Sequence, residues 1–178
     1  MLDYQYFSCL WHSNSSFIVY SSFEVSSLGF TCKASSTFSN KKSCQQIYDS
    51  DDSSGWVTKG DGVGSWVQIF LHANILISKI VYRHNFQNYV LSKPTEKQNF
   101  KDVSLEFSDG TSFNITLDDV KPPFPSEDLH YKITPPKLSS FLKLRVYSVY
   151  DPTLDVGTFA NRYGLSTMRI YGSIKEGK

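Results

Sequence analysis

The alternation of apolar and polar residues along the chain predicts short β-strands. In 101–107, Val103, Leu105 and Phe107 alternate with polar residues, and 141–147 repeats the pattern. A period of two is typical of a strand with one buried and one solvated face. Across the chain, the pattern and the intervening turn residues predict strands at 65–71, 75–83, 101–107, 112–117, 131–134, 141–147 and 167–171.

The residues between these strands indicate how the strands connect. Asp109-Gly110 lies between 101–107 and 112–117 and is the sequence signal of a tight hairpin. The proline-rich segment 121–125 lacks the backbone donors of an interior strand and predicts a surface crossing. A long crossing favours a Greek-key or jelly-roll topology over a meander.

Two tryptophans and two glycines precede the strand at 65–71. Trp56 and Trp66, each flanked by Gly or Ser, are interpreted as large apolar anchors that close one end of the core, with the indole N–H seeking a carbonyl. Gly62 and Gly64 are predicted to supply the positive φ that a turn between them requires.

Composition supports an all-β fold and sets the N-terminus apart. Aromatic residues reach 15% of the 178 residues, and alanine occurs only at Ala34, Ala73 and Ala160, which favours strand over helix. The predicted division is an N-terminal extension at 1–30, a sandwich at 31–174 and a tail at 175–178. The extension is either an extra strand pair or an arm that docks on a partner chain. The arm residues would be Tyr4, Tyr6, Phe7 and Trp11.

Charge and cysteine content narrow the partners and the compartment. A formal net charge of +1 excludes recognition dominated by electrostatics, so no nucleic-acid partner is expected. No apolar segment is long enough to span a membrane, and no export signal is recognised. We therefore expect an intracellular protein. If the chain is a processed fragment, the alternative is a secreted or cell-surface protein. Of three cysteines, Cys9, Cys32 and Cys44, the last two can pair across a short loop.

The chemistry-bearing residues show no catalytic pattern. His12, His72, His84 and His130 occur in unrelated contexts, and the cysteines form no CxxC. We therefore expect a non-catalytic protein that requires no cofactor. The triplets at Asn14 and Asn114 match N-glycosylation acceptors, although a chain this rich in serine also produces such triplets by chance.

Several separated blocks together resemble a known family. The segment Ile47-Tyr48-Asp49-Ser50-Asp51-Asp52-Ser53-Ser54-Gly55-Trp56, the "KIVYRH" block ending at His84, the "VSLEFSDGT" hairpin, the "FLKLRVYSVY" strand and the closing "GLSTMRIYG" occur in the order found in coagulation factor 5/8 type C (discoidin) domains. The resemblance covers about 31–172 and implies a galactose-binding-like fold. That fold is a jelly-roll β-sandwich of about eight main antiparallel strands.

The resemblance also implies a ligand site among loops at one end of the sandwich. The matching residues suit a sugar, because they combine planar hydrogen-bonding groups with aromatic faces. They are Arg83, His84, Asn85 and Phe86 on one loop, and Asp151, Asn161, Arg162 and Tyr163 on another. The alternative interpretation is that Arg83 pairs with a loop carboxylate such as Asp151 and that Tyr163 caps the core.

Many domains of this fold hold a structural calcium in the acidic loop, and the matching ligands here are Asp49, Asp51 and Ser54. The acidic residue expected in the last strand is replaced by Thr167. Losing one anionic ligand weakens a calcium site. A solvated acidic turn is therefore the alternative to a calcium-binding loop.

Two functions follow from the resemblance. The first is a non-catalytic assembly subunit of an intracellular complex, for example a ciliary or cytoskeletal one, whose partners are other protein chains. The second is a carbohydrate-binding adhesion module that recognises a glycan through its loops. The missing export signal, the unpaired cysteine and the weakened calcium site favour the assembly role, which is the prediction. The family resemblance favours carbohydrate binding, which is the alternative.

Overall fold

Two long antiparallel strands organise the β-sheet of this protein. The computed structural model describes residues 22–48, 54–60, 62–84, 99–119, 128–150 and 163–174. Its strands are β1 (Phe23–Glu24), β2 (Phe30–Ala34), β3 (Trp56–Val57), β4 (Trp66–His84), β5 (Asp102–Phe107), β6 (Ser112–Thr116), β7 (Leu129–Val146) and β8 (Gly164–Ile174). Short 3-10 turns cover Val25–Leu28, Asn40–Lys42 and Cys44–Tyr48. No helix in these ranges is long and apolar enough to cross a membrane.

Strands β4 and β7 pair along most of their length, from Trp66 opposite Arg145 to Tyr82 opposite Leu129. The register shifts between Phe70 and Ile75, so the paired strands bend there. The first half of β4 also pairs with β2, and the second half of β7 pairs with β5, which pairs in turn with β6. The second half of β4 pairs with β8, which also holds β1 and β3.

The predicted jelly-roll sandwich is confirmed, but its strand boundaries differ from the prediction. The ranges 65–71 and 75–83 form one strand, as do 131–134 and 141–147. The prediction failed because a bulge lets a strand bend without ending. Pro135 and Pro136 lie in a bulge of β7, where the four residues 133–136 are opposite one residue of β4. Because the bulge residues do not pair with β4, the missing N–H groups of the two prolines remove no hydrogen bond between the strands.

One continuous hydrophobic core lies between the two halves of the sheet. It is built from alternate residues of the strands, as the period-two pattern predicted. Its fully buried members include Trp56, Val67, Ile69, Ile75, Ile77, Ile80, Phe100, Val103, Leu105, Leu142, Val146, Leu165 and Met168. The predicted hairpin is also present, because Gly110 adopts a φ of +80° and the Phe107 N–H donates to the Thr111 carbonyl at 2.9 Å.

The two tryptophans have different roles. Trp56 is buried in the core, and its indole N–H donates to the Ser36 carbonyl at 2.9 Å, as predicted. Trp66 was wrongly predicted to be a core anchor: it is half-buried on the outer face of β4, with the Lys143 Nζ 5.1 Å from the ring centre. The register explains the difference, because burying Val67 turns its neighbour Trp66 outward.

The N-terminal side of the described chain is fixed to the sheet in two places. Within the range predicted as an extension, β1 pairs with β8, and the Tyr171 hydroxyl donates to the Glu24 carboxylate at 3.2 Å. A disulfide joins Cys32 of β2 to Cys44, and their Cα atoms are 6.1 Å apart. The pairing that the spacing allowed is therefore present. The arm residues Tyr4, Tyr6, Phe7 and Trp11, the crossing at 121–125 and the tail lie outside the described residues.

We expect the disulfide to stabilise the fold by restricting the unfolded chain. Replacing Cys32 and Cys44 together by serine should lower the free energy of unfolding by about 3 kcal/mol. Urea denaturation followed by tryptophan fluorescence measures this change. The control is the parent unfolded in a reducing agent, which should lose the same stability as the double variant. An equal midpoint for the double variant and the oxidised parent would contradict the assignment.

A charged cluster joins β5 to β7 on the outer face of the sheet. The Glu106 carboxylate lies 2.9 Å from the Lys143 Nζ and 2.7 Å from the Arg145 Nε. Partial burial alone would raise the pKa of Glu106. The hydrogen bonds and positive charges of Arg145 and Lys143 outweigh burial and hold the pKa of that carboxyl below its ordinary value of 4.5.

This lowered pKa predicts a pH-dependent contribution to stability. The contribution is complete above pH 4.5, the ordinary pKa, and is lost as the pH falls through the lower folded-state pKa. Glu106→Gln should therefore destabilise the protein by about 1 kcal/mol at pH 7 and by progressively less below pH 4.5. Denaturation from pH 2 to 7 tests this, with 1 M salt as the control that screens the pair. A difference that does not depend on pH would refute it.

Candidate ligand-binding site

Both ends of β4 lie at the same end of the sandwich. Because β4 bends midway, its first residue, Trp66, and its last, His84, both return to the end where β7 finishes and β8 begins. His84 is opposite Leu165 of β8, and Trp56 of β3 is opposite the same residue. We call this region the loop end.

Two inward-facing rings fix the backbone of Asp118 at the loop end. The His84 Nε2 lies 2.8 Å from the Asp118 carbonyl, and the Asp118 N–H donates to the Tyr82 hydroxyl at 3.2 Å. Burial raises the pKa of Tyr82, so its hydroxyl stays neutral. The Ser166 hydroxyl donates to the His84 carbonyl at 3.0 Å. This buried layer positions the exposed side chain of Asp118 at the rim.

The rim itself combines two carboxylates and an aromatic ring, and the buried amide of Asn99 lies beneath them. The Tyr150 hydroxyl donates to the Leu117 carbonyl at 2.8 Å, and the Tyr150 N–H donates to the Asn99 carbonyl at 3.0 Å. The Asn99 amide donates to the Asp119 carboxylate at 3.4 Å. Burial, followed by the negative charges of Asp119, Asp118 and Asp102, raises the pKa of Tyr150. The phenol is therefore neutral and half-buried beside two carboxylates.

Sequence reasoning missed these rim residues. Asp118 and Asp119 directly follow the predicted strand 112–117, and Tyr150 follows shortly after the predicted strand 141–147. Polar and aromatic residues just past a strand end were the available signal. The sequence did not show that the segments around Asn99, Asp118 and Tyr150 are joined to one another by hydrogen bonds.

Arg83 faces outward from the sheet and is held by an ion pair. Its guanidinium lies 2.7 Å from one oxygen of Asp128, and Arg169 of β8 lies 3.1 Å from the other oxygen. Asp128 thereby links β4 to β8, and the Arg83 side chain is 14% exposed. A carboxylate partner for Arg83 was one of the two predictions. The partner found is Asp128; Asp151, the example named, lies outside the described residues.

The other predicted ligand residues divide into buried and undescribed groups. His84 is buried, and Tyr163 belongs to the core and lies over Gly62, in agreement with the capping interpretation. In this structure both rings pack beneath the loop end. The remaining five lie outside the described residues, so a ligand role for them stays a prediction. They are Asn85, Phe86, Asp151, Asn161 and Arg162.

The predicted calcium ligands are described only in part. Ser54 is buried, and its hydroxyl donates to the Gln46 carbonyl at 3.2 Å. Thr167 is buried in β8 opposite Arg83. Asp49 and Asp51 lie outside the described residues, and no three His, Cys, Asp or Glu side chains converge among those that are described. Calcium binding remains a prediction.

Comparison with solved structures establishes the fold. A family 32 CBM from C. perfringens NanJ, in complex with galactose, matches with a TM-score of 0.61 and 10% identity, over 84% of this chain and 98% of that one. An F5/8 type C domain from Bacteroides fragilis gives a TM-score of 0.60 and 12% identity, over 85% and 97%. The fold is galactose-binding-like.

A third match carries the same architecture. Chitosan-binding module 1 from a chitosanase/glucanase of Paenibacillus sp. IK-5 gives a TM-score of 0.57 and 13% identity, over 80% of this chain and 94% of that one. No family model and no curated protein matches the sequence. The structural matches thus confirm the galactose-binding-like sandwich that the residue blocks implied. The sequence identities to these structures are only 10 to 13%.

Two glycines at the loop end provide a matched pair for testing its packing. Gly62 and Gly64 have φ values of +81° and +80°, as predicted. A Cβ on Gly62 would lie 2.9 Å from the Tyr163 Cβ, whereas one on Gly64 would meet nothing within 4 Å. The two positions share the same backbone conformation and differ in the contact with Tyr163.

We expect Gly64→Ala to cost about 1 kcal/mol of stability from left-handed strain alone. Gly62→Ala should cost about 1 to 3 kcal/mol more, because its methyl group overlaps the Tyr163 ring. Thermal and urea unfolding of the two variants measure the difference. Equal losses would show that Tyr163 does not pack on Gly62.

Proposed function

We propose that this protein is a non-catalytic carbohydrate-binding module whose ligand binds at the loop end. The main support is the rim, where the Tyr150 ring lies beside Asp118 and Asp119 above a buried layer of hydrogen bonds that includes the Asn99 amide. A few fixed polar groups next to an aromatic side chain suit sugar hydroxyls and the apolar face of a sugar ring. The glycan-binding modules among the matched structures support this class of ligand.

The Cys32–Cys44 disulfide supports a secreted or cell-surface location for this module. Disulfides persist in oxidising compartments and are rare in the cytosol. The intracellular expectation relied in part on one unpaired cysteine and left the pairing of Cys32 with Cys44 open; this pair favours the alternative location. The alternative function as an assembly subunit, ciliary or otherwise, relied on the arm at Tyr4, Tyr6, Phe7 and Trp11. No described contact favours it over glycan binding.

Glycan-array binding of the whole protein, followed by calorimetry with the strongest hit, tests the proposal. Asp118→Asn should weaken binding at least tenfold, because it removes the charge of a rim acceptor. The matched control is Asp109→Asn at the hairpin tip, which should bind like the parent. An array without hits, or equal losses for both variants, would contradict the loop-end site.

A second matched pair separates ligand contact from ion pairing. Arg83 and Arg169 share Asp128, but only Arg83 belongs to the predicted ligand set. If Arg83 contacts the glycan, Arg83→Ala should abolish binding while Arg169→Ala retains it at similar melting temperatures. Equal retention would remove Arg83 from the site and leave the rim residues as its core.

A further inference from the structure

Among the strands that the structure describes, β6 lies at one edge of the sheet. Within the described residues, β6 pairs with β5 on one side and is the last strand in the hydrogen-bonded order of the sheet. An edge strand exposes unpaired backbone groups that can pair with another chain. Proteins usually protect such edges with a charged residue, a proline or a bulge. The sequence of β6, Ser112-Phe113-Asn114-Ile115-Thr116, contains no charge and no proline, and its register with β5 is regular.

Asn114 is the central residue of this edge and points to solvent. It is exposed and lies opposite Ser104, while its neighbour Ile115 is 6% exposed and belongs to the core. Phe113 also faces inward, with its ring 5.7 Å from that of Phe107. Because side chains alternate along a strand, a group attached to the Asn114 amide would extend outward without disturbing either of these apolar contacts.

The residues around Asn114 also meet the requirement for N-linked glycosylation. Asn114-Ile115-Thr116 is an acceptor triplet, and Ile115 satisfies the exclusion of proline from its middle position. Many such triplets arise by chance in a chain rich in Ser and Thr. This one has an exposed asparagine on an outward-facing strand position, in a chain with a disulfide typical of the secretory pathway.

We propose that Asn114 carries an N-linked oligosaccharide that shields this edge of the sheet. In the modification, the Asn114 Nδ2 forms a bond to C1 of the first sugar. The bond from that carbon to the phosphate oxygen of a lipid-linked oligosaccharide donor breaks, and the departing lipid pyrophosphate takes the bonding electron pair. The proton lost from Nδ2 passes to a base of the transferring enzyme. The proposal rests on the secretory location in the proposed function and is independent of glycan binding at the loop end.

Secretion of the full chain from cultured animal cells, behind a secretory leader, tests the modification. The intact mass should fall on treatment with peptide N-glycosidase, and peptide mapping should find Asn114 converted to aspartate. Asn114→Gln and Thr116→Ala should abolish that modification, whereas Thr116→Ser should retain it. Asn14→Gln isolates the other triplet, and Asn74→Gln, at an exposed asparagine without a triplet, is the control. An unmodified Asn114 in the folded, secreted parent would overturn the proposal.

The shielding role has a separate readout. The glycosylated parent should remain monomeric in size-exclusion chromatography, while Asn114→Gln should self-associate as its concentration rises. Adding Ser112→Lys to Asn114→Gln should restore the monomer, because a lysine on the edge opposes strand pairing. If Asn114→Gln stays monomeric at every concentration at which the parent does, the shielding role is wrong. Loss of glycan binding in the parent would contradict the loop-end site without affecting this result.

Discussion

The pairing of β4 with β7 holds the two halves of the sheet together. Both strands bend, so one hydrogen-bonded pair crosses from one half of the sandwich to the other. Every other strand attaches directly or through a neighbour to this pair. The core then follows, because alternate residues of the bent pair face inward on both sides of the bend.

The same bend places the candidate site. It brings Trp66 and His84, the two ends of one strand, to the loop end, where β5, β6 and β7 also begin or finish. The inward position of His84 makes it a support for the Asp118 backbone, and the outward position of Arg83 makes it part of an ion pair across the sheet. Neighbouring residues of one strand thus serve different functions because a strand alternates its faces.

Much of the fold could be predicted from the sequence, because its signals are local. Period two identified the inward residues of β5 and β7, and Asp109-Gly110 identified the hairpin. What could not be predicted depends on register and pairing. Trp66 was placed in the core because its size favours burial, whereas the register that buries Val67 turns it outward. The continuity of β4 through 72–74 was missed because a bulge has no strong sequence signal.

The sequence predicted the end of the sandwich at which the candidate site lies, but it identified few of the residues that form the site. The family resemblance located the loop end, but it emphasised residues that are buried, such as His84 and Tyr163, or that lie outside the described ranges. The partners Asp118, Asp119 and Tyr150 come from three segments far apart in sequence, so only the folded chain brings them together. Likewise, the sequence does not show that Arg83 and Arg169 share Asp128 as a partner, because the three residues meet only when β4, β7 and β8 lie side by side.

If the loop end is the binding surface, amide NMR during titration with a glycan will report the contact residue by residue. Galactose is the first probe, because the matched CBM was solved with it. The resonances of Asp118, Asp119, Tyr150 and their neighbours should shift, while those of the hairpin tip at Asp109 and Gly110 should stay fixed. Shifts confined to the hairpin tip or to the outer faces of the sheet, with none at the loop end, would contradict this binding surface.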